Sequence, residues 1–286
     1  MAAVVHVNGK ILTEAHAVVS VFDHGFLFGE GIYETLRTYR RVPFLLDRHL
    51  DRLRRSAELM ALDVPFSDEE LGARVAATMA AHPALDEAYI RILVTRGVGD
   101  LSYNLAATPA PTLVIIVKPF VPHAERTFTD GIPVVVVGIR RNHPSALNPM
   151  IKSNNLMNNA LAMQEALRRG GQEALMLNQA GQLAECSQSN VFLVRRGEVV
   201  TPPLSAGLLP GITRQYVLEI AADLDLPARE AELDLKDLDA ADEVFLTGTT
   251  REVTPVVTVD GRAVGDGKPG PITARLLAEF RKRITV

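Results

Sequence analysis

Lys152 stands between the loop Asn148-Pro149-Met150-Ile151 and a run with helical spacing over 153–169, and a carboxylate, Glu185, follows in the turn Ala184-Glu185-Cys186-Ser187-Gln188-Ser189-Asn190. An amine becomes a nucleophile once it loses its proton, and burial beside apolar groups lowers a lysine's pKa toward that state. A carboxylate arriving from a later hairpin could keep a ring nitrogen protonated, so that the ring draws electrons from a bound carbon. Amine and carboxylate together are what the carbonyl chemistry of pyridoxal phosphate requires. The chain has only six lysines. Lys10, Lys236, Lys268 and Lys282 fall in hairpin, turn or charged helical surroundings, and Lys118, closing the apolar strand 113–117, is the one rival on burial grounds. Taken alone, Lys152 reads more readily as an ordinary helix-entry lysine, so its chemistry must be argued from what accompanies it.

Two stretches suit a phosphate. Leu209-Pro210-Gly211-Ile212-Thr213 leads into a helix beginning near Arg214, where exposed first-turn amides bind anions without a charged side chain. Thr247-Gly248-Thr249-Thr250 follows a strand, and its hydroxyls and amides could form an anion nest. Each is weak singly; their value lies in combination with Lys152 and Glu185.

Composition narrows the setting. With 286 residues and 47% hydrophobic content the chain can bury a sizeable core and is long enough for two domains. A formal charge of −4, with both signs interspersed, leaves no basic stripe for nucleic acid and no polybasic membrane patch. No apolar run approaches the ~20 residues of a membrane span, and the first residues lack a signal-peptide pattern. The single cysteine, Cys186, precludes an internal disulfide and fits a reducing cytoplasm. The seven histidines show no metal-ligand spacing, so no metal is expected.

The elements that must position these groups are α+β in pattern. Residues 4–12 read as a hairpin turning at Asn8-Gly9, 31–41 as a strand, and 88–95 and 112–118 as two more. Asp47 is a candidate cap for a helix carrying Leu50, Leu53, Ala57 and Met60, and Ser67-Asp68-Glu69-Glu70 has capping-box spacing. Residues 1–118 thus form a small α+β domain, 119–131 a Pro- and Gly-containing linker, and 132–286 a larger α+β domain. In the latter, strands at 132–139, 173–178, 191–194 and 243–246 alternate with helices near 153–169, 213–224 and 271–284. Hairpin signals at Ala180-Gly181, Arg196-Gly197 and Asp260-Gly261 argue for much antiparallel pairing in a barrel-like sheet.

The segments Phe22-Asp23-His24-Gly25-Phe26-Leu27-Phe28-Gly29-Glu30-Gly31-Ile32-Tyr33-Glu34, His49-Leu50-Asp51-Arg52-Leu53, Tyr89-Ile90-Arg91 and Lys152-Ser153-Asn154-Asn155, with 185–192, 209–214 and Gly248-Thr249, resemble the fold type IV, or class IV, aminotransferases. They come in that family's order across nearly the whole chain. The resemblance implies a two-domain pyridoxal 5'-phosphate enzyme, a homodimer acting on small amino acids and 2-oxo acids by a ping-pong cycle. By position, Lys152 resembles the family's catalytic lysine and Glu185 the partner of the pyridine nitrogen. Arg52 matches the arginine that grips the phosphate, aided by the amides of Ile212 and Thr213 and by Gly248 and Thr249; Arg48 is the nearby decoy. Asn190 matches a position supporting the carboxylate. Tyr33, with Arg37 on the same strand, is placed with the substrate.

The subfamily is less sharply marked. Tyr89 and Arg91 share a strand face, and they, Thr201-Pro202-Pro203-Leu204 and the turn at Thr249 and Thr250 resemble branched-chain aminotransferases, in which amides of that turn help hold the substrate carboxylate. Met157, where those enzymes have a tyrosine, and the run 152–165 look more like D-amino-acid transaminases. Arg96 could act as a bidentate carboxylate clamp of that second type, although its alternation with Arg91 puts it on the opposite face. Arg251 could narrow the pocket, recruit an acidic substrate or point to solvent. Transfer from branched-chain L-amino acids to 2-oxoglutarate leads; D-amino-acid or amine transfer, and 4-amino-4-deoxychorismate lyase chemistry, remain alternatives. A non-catalytic cofactor- or anion-binding protein is a third class.

Overall fold

Strict alternation makes the strand Ala88–Thr95 two-faced: Ala88, Ile90, Ile92 and Val94 are buried, while Tyr89, Arg91, Leu93 and Thr95 lie on the other, half-buried face. It belongs to a computed structural model that describes residues 3–284 and that divides into two units. The first runs up to Val121 and includes Ile151–Asn155. It holds strands β1 (Val4–Val7), β2 (Lys10–Thr13), β3 (Gly31–Tyr39), β4 (Val42–Pro43), β5 (Ala88–Thr95) and β6 (Thr112–Pro119), and helices α1 (His24–Leu27), α2 (Leu46–Leu59) and α3 (Asp68–Ala80). The strands form one sheet in the order β2-β1-β6-β5-β3-β4, with every pairing antiparallel. The buried faces of β3, β5 and β6 meet Leu50, Leu53 and Ala57 of α2 and Leu71 and Val75 of α3 in one core.

The capping box of α3 is present: Ser67 Oγ accepts from Glu70 N at 3.2 Å, and the Glu70 carboxylate accepts from Ser67 N at 2.7 Å. The expected Asp47 cap is not. Helix α2 begins at Leu46 after Leu45, whose φ of 51° turns the chain in without a capping side chain, and Asp47 lies in the first helical turn.

The second unit comprises Pro122–Met150 and the chain from Leu156 onward. It contains α4 (Arg126–Thr129), β7 (Ile132–Val136), α5 (Met157–Arg168), β8 (Glu173–Leu177), β9 (Leu183–Cys186), β10 (Asn190–Arg195), β11 (Glu198–Thr201), α6 (Ile212–Asp223), β12 (Ala228–Glu230), α7 (Leu235–Asp239), β13 (Glu243–Gly248), β14 (Glu252–Val259), β15 (Arg262–Ala263) and α8 (Pro271–Ile284). The sheet runs β12-β11-β10-β13-β14-β7-β8-β9, with β15 paired to β14. β9 and β10 stand far apart in that order, yet only residues 187–189 join them, and Cys186 N donates to Ser189 O. The sheet must therefore curl on itself, as a barrel-like sheet does. The hairpins are antiparallel as expected, whereas β14 with β7, β7 with β8 and β11 with β12 pair in parallel.

Two sequence expectations shift here. The stretch 119–131 contains the end of β6 and helix α4. The helix expected from residue 153 begins at Met157, because residues 152–154 bond to β3: Lys152 O accepts from Tyr33 N, Asn154 N donates to Gly31 O, and Ser153 bridges Ile32. A division by sequence position has no place for this return of the chain to the first unit. No described helix is long and apolar enough to cross a membrane.

Candidate active site

Strand alternation along β3 sends Tyr33 to one face and Glu34 to the other, and the two faces carry different chemistry. The open-face register sets Tyr33 beside Leu93, Thr35 beside Arg91 and Arg37 beside Tyr89, with Tyr89 also beside Lys118 of β6. The Lys152 amine lies 4.7 Å from the Tyr33 ring centroid, and the Arg91 guanidinium is 4.1 Å from that same ring. Arg91 Nε is buried without a hydrogen-bond partner, an orphaned donor that a ligand carboxylate could satisfy. Lys152 is fixed through its backbone: its N donates to Ser56 Oγ of α2 at 3.1 Å, and its carbonyl is bonded to β3. Gly31 permits this close approach, since a Cβ there would fall 2.5 Å from Asn154 Nδ2. Lys118, the sequence-level rival, is exposed, with its amine 5.0 Å from the Tyr89 ring.

On the helix-side face, Glu34 is fully buried. Arg52 Nε donates to its Oε1 at 2.8 Å and Arg52 NH2 to its Oε2 at 2.7 Å, while His49 Nδ1 stands 2.7 Å from Oε2. Burial alone would raise the Glu34 carboxyl, but the Arg52 charge and hydrogen bonds, with those of His49, bring it down to about 2. Burial lowers the His49 pKa despite the pull of Glu34, and the Arg52 and Lys152 charges lower it further. His49 and Arg52 are three residues apart, on one face of α2. Neither Glu34 nor His49 was singled out from sequence, although both lie inside the quoted segments; their alternation against Tyr33 and spacing from Arg52 carried the signal.

In the second unit, Glu185 is the penultimate residue of β9 and almost wholly buried. Its Oε1 accepts from Arg141 Nε at 2.7 Å, and its Oε2 accepts from Leu209 N at 3.1 Å and from Asn190 Nδ2 at 3.4 Å. Asn190 also donates to Leu209 O, so it supports the carboxylate and anchors the loop leading to α6. Arg141 escaped sequence reasoning because it sits in an irregular stretch with no periodic or capping signal. NH1 of Arg141 is braced by Asn158 Oδ1 at 3.1 Å. Helix α6 starts at Ile212 after Gly211 and has no side-chain cap, which leaves the first-turn amides of Ile212 and Thr213 for an anion. Gly211 is required there: a Cβ would lie 1.9 Å from Asn190 Oδ1. Thr249 and Thr250 form the turn after β13, as expected, both half-buried.

The remaining candidates divide. The Arg37 guanidinium is stacked 4.0 Å from the Tyr39 ring and 3.8 Å from the Phe120 ring, and Arg37 is largely buried. Arg96 donates to Glu30 Oε2 at 3.0 Å, to Met60 O at 2.9 Å and to Ala61 O at 3.1 Å, so its fork is spent on the protein itself. Met157 opens α5 and is exposed. The donor set fits pyridoxal phosphate: one half-buried lysine, one buried carboxylate braced by an arginine, an uncapped start to a three-turn helix and a guanidinium held by a buried carboxylate.

The model of the amino-transferase class IV family matches residues 31–259. A Methanocaldococcus jannaschii protein provisionally named branched-chain-amino-acid aminotransferase is 40% identical over 277 residues, 97% of this chain and 95% of its own. The D-alanine aminotransferase of Listeria monocytogenes is 36% identical over 281 residues, 98% of this chain and 95% of its own. Among solved structures, a branched-chain amino acid aminotransferase from T.th., determined with pyridoxamine 5'-phosphate, superposes with a TM-score of 0.94 at 30% identity, covering all of this chain and 95% of that one.

Proposed function

We propose that this chain, which belongs to the class IV aminotransferase family, moves the amino group of a branched-chain L-amino acid to 2-oxoglutarate in a ping-pong cycle. Class IV aminotransferases use pyridoxal 5'-phosphate, and when bound it supplies the electron sink for the pair released at the substrate α-carbon. In this reading Lys152 would hold the cofactor through its amine, and that amine, when free, would take up and give back the proton at the substrate α-carbon. Glu185, held by Arg141 and Asn190, keeps the pyridine nitrogen protonated. Arg52, oriented by Glu34, carries the phosphate charge, with the amides of Ile212, Thr213, Gly248 and Thr249 as further donors. Tyr33, Tyr89, Arg91 and the Thr250 amide receive the substrate, and Arg37 packs behind them between its two rings. The second unit, Pro122–Met150 with the chain from Leu156 onward, is the larger and supplies Glu185 and the amides at 212–213 and 248–249.

The contrast between Arg91 and Arg96 carries the preference for the L-branched-chain reading. Arg91 has an orphaned buried donor on the Tyr33 face, whereas the guanidinium that a D-amino-acid clamp would need is bonded to Glu30 and two carbonyls. The D-alanine aminotransferase relative keeps that alternative worth testing. The test follows the visible absorbance of the cofactor-loaded protein as L-leucine, D-alanine and 2-oxoglutarate are added separately. We expect L-leucine to bleach the band and 2-oxoglutarate to restore it. A response to D-alanine alone moves the assignment to D-amino acids, and a bound cofactor inert to both amino acids moves it to a lyase.

A homodimer is part of the same proposal. Exposed Val21, Phe22 and Phe26 lie beside exposed Val98, Leu101 and Tyr103, and the two segments are bonded through His24 N to Gly97 O and Gly99 N to Phe22 O. An apolar surface of this kind is suited to a second copy of the chain. We place the protein in a reducing cytoplasm on the strength of its buried free thiol, Cys186.

A further inference from the structure

We propose that Arg251 is a positioning residue whose guanidinium, set against the buried carboxylate of Glu173, staples the turn after β13 to the turn between β9 and β10. The inference rests on the phosphate role given above to Gly248 and Thr249, and it adds what holds their amides in place.

Glu173, on β8, is fully buried. Its Oε1 accepts from Ala174 N at 2.9 Å and from Ser187 Oγ, and its Oε2 accepts from Ser189 Oγ at 3.2 Å. Amide and hydroxyl groups satisfy its lone pairs but bring no full charge. Among the described residues Arg251 is the cation that pairs with it, with NH2 3.5 Å from Oε2. A buried carboxylate stripped of its counter-charge is strongly disfavoured, so each group needs the other. The Arg251 side chain is only 12% exposed and also reaches Gln172 O at 3.5 Å. That orientation answers two of the three possibilities left by the sequence: the guanidinium is neither solvated nor free to recruit an acidic substrate.

The backbone at Arg251 closes the turn, its N donating to Gly248 O at 3.1 Å and its carbonyl accepting from Thr254 Oγ1 at 2.6 Å. The other end of the staple lies in residues 187–189, which lead from Glu185 to Asn190. The turns touch, since a Cβ on Gly248 would sit 3.5 Å from Gln188 O and 3.8 Å from Ser189 Oγ. One ion pair therefore sets the spacing between the amides at 248–249 and the strand end that carries Glu185 and Asn190. Backbone donors bind an anion well only when held rigidly, and that rigidity comes from the shell behind them.

The test titrates pyridoxal phosphate onto cofactor-stripped Arg251→Met, Arg251→Lys, Glu173→Gln and Thr249→Pro proteins, and compares 2-oxoglutarate with 4-methyl-2-oxopentanoate as acceptors. We expect Arg251→Met to weaken cofactor binding about tenfold, the loss of roughly one well-placed hydrogen bond. Arg251→Lys should restore most of the affinity, and the two acceptors should change KM by the same factor. Unchanged affinity in Arg251→Met, or a loss confined to the dicarboxylic acceptor, overturns the staple. If Arg251→Met does not fold, the double variant with Glu173→Gln, which buries no lone charge, is read by the same criteria. Thr249→Pro, which removes that amide at the second position of the turn, where proline is tolerated, separates the failures: weakened there but unchanged in Arg251→Met overturns the staple alone, and unchanged in both overturns the phosphate role with it.

Discussion

Lys152→Ala is expected to lower transamination at least about 10⁴-fold, because it removes both the covalent tether and the base that moves the α-proton. No other described lysine can substitute, since Lys118 is exposed on β6, Lys10 on β2, Lys268 in a bend, and Lys236 and Lys282 on α7 and α8. The fold should survive the change: the backbone N and O of Lys152, which tie residues 152–154 to Ser56 and β3, remain. Turnover, melting temperature and cofactor retention after borohydride reduction and denaturation would be measured together. Loss of turnover and of covalent retention with an unaltered melting temperature supports the assignment. Full turnover in Lys152→Ala would falsify it.

Glu34→Gln should be the most damaging change outside the lysine, because it leaves Arg52 buried without its bidentate carboxylate. Breaking such a pair costs roughly 3–5 kcal/mol. Loss of a fixed orientation for Arg52 should also weaken pyridoxal phosphate binding about tenfold. The pH dependence gives a separate signature. The Glu34 carboxyl titrates at about 2 in the folded protein against an ordinary value of 4.5, so its contribution, about 3 kcal/mol by linkage, is fully present above that ordinary value. It is lost as pH falls from 4.5 through 2, where the unfolded chain takes up the proton first. His49 adds a loss that begins earlier: its folded pKa lies below the ordinary 6.5, so the unfolded state gains a proton first as pH drops through 6.5. Urea midpoints measured from neutral to strongly acid pH should therefore fall in two windows for the natural protein. In Glu34→Gln the lower window should flatten; an unchanged acid profile would show that Glu34 is not the group responsible.

Much of the first unit was legible because its signals are local. Alternation over 88–95 and the Ser67–Glu70 box depend on neighbours two or three residues away, and both appear in the structure. The start of α2 was misplaced because a left-handed Leu45, not an Asp47 side chain, turns the chain. The start of α5 was misplaced because pairing of 152–154 with β3 outweighs local helix preference, which amounts to less than ~1 kcal/mol per residue.

The types and order of the chemical groups can be read along the chain alone: Lys152, Glu185 with Asn190, Arg52, the glycine-led start of α6 and the turn at 248–250. Those are properties of residue identity and short spacing. Which groups are paired was decided by the tertiary structure alone. Arg141 reaches Glu185 from an irregular stretch 44 residues away, and Arg52 meets Glu34 from 18 residues away. Arg96 is consumed by Glu30 and the end of α2, whereas Arg91 keeps an orphaned donor. Charge pairing falls steeply with distance and strengthens with burial, and both depend on how strands and helices pack, which no local pattern records.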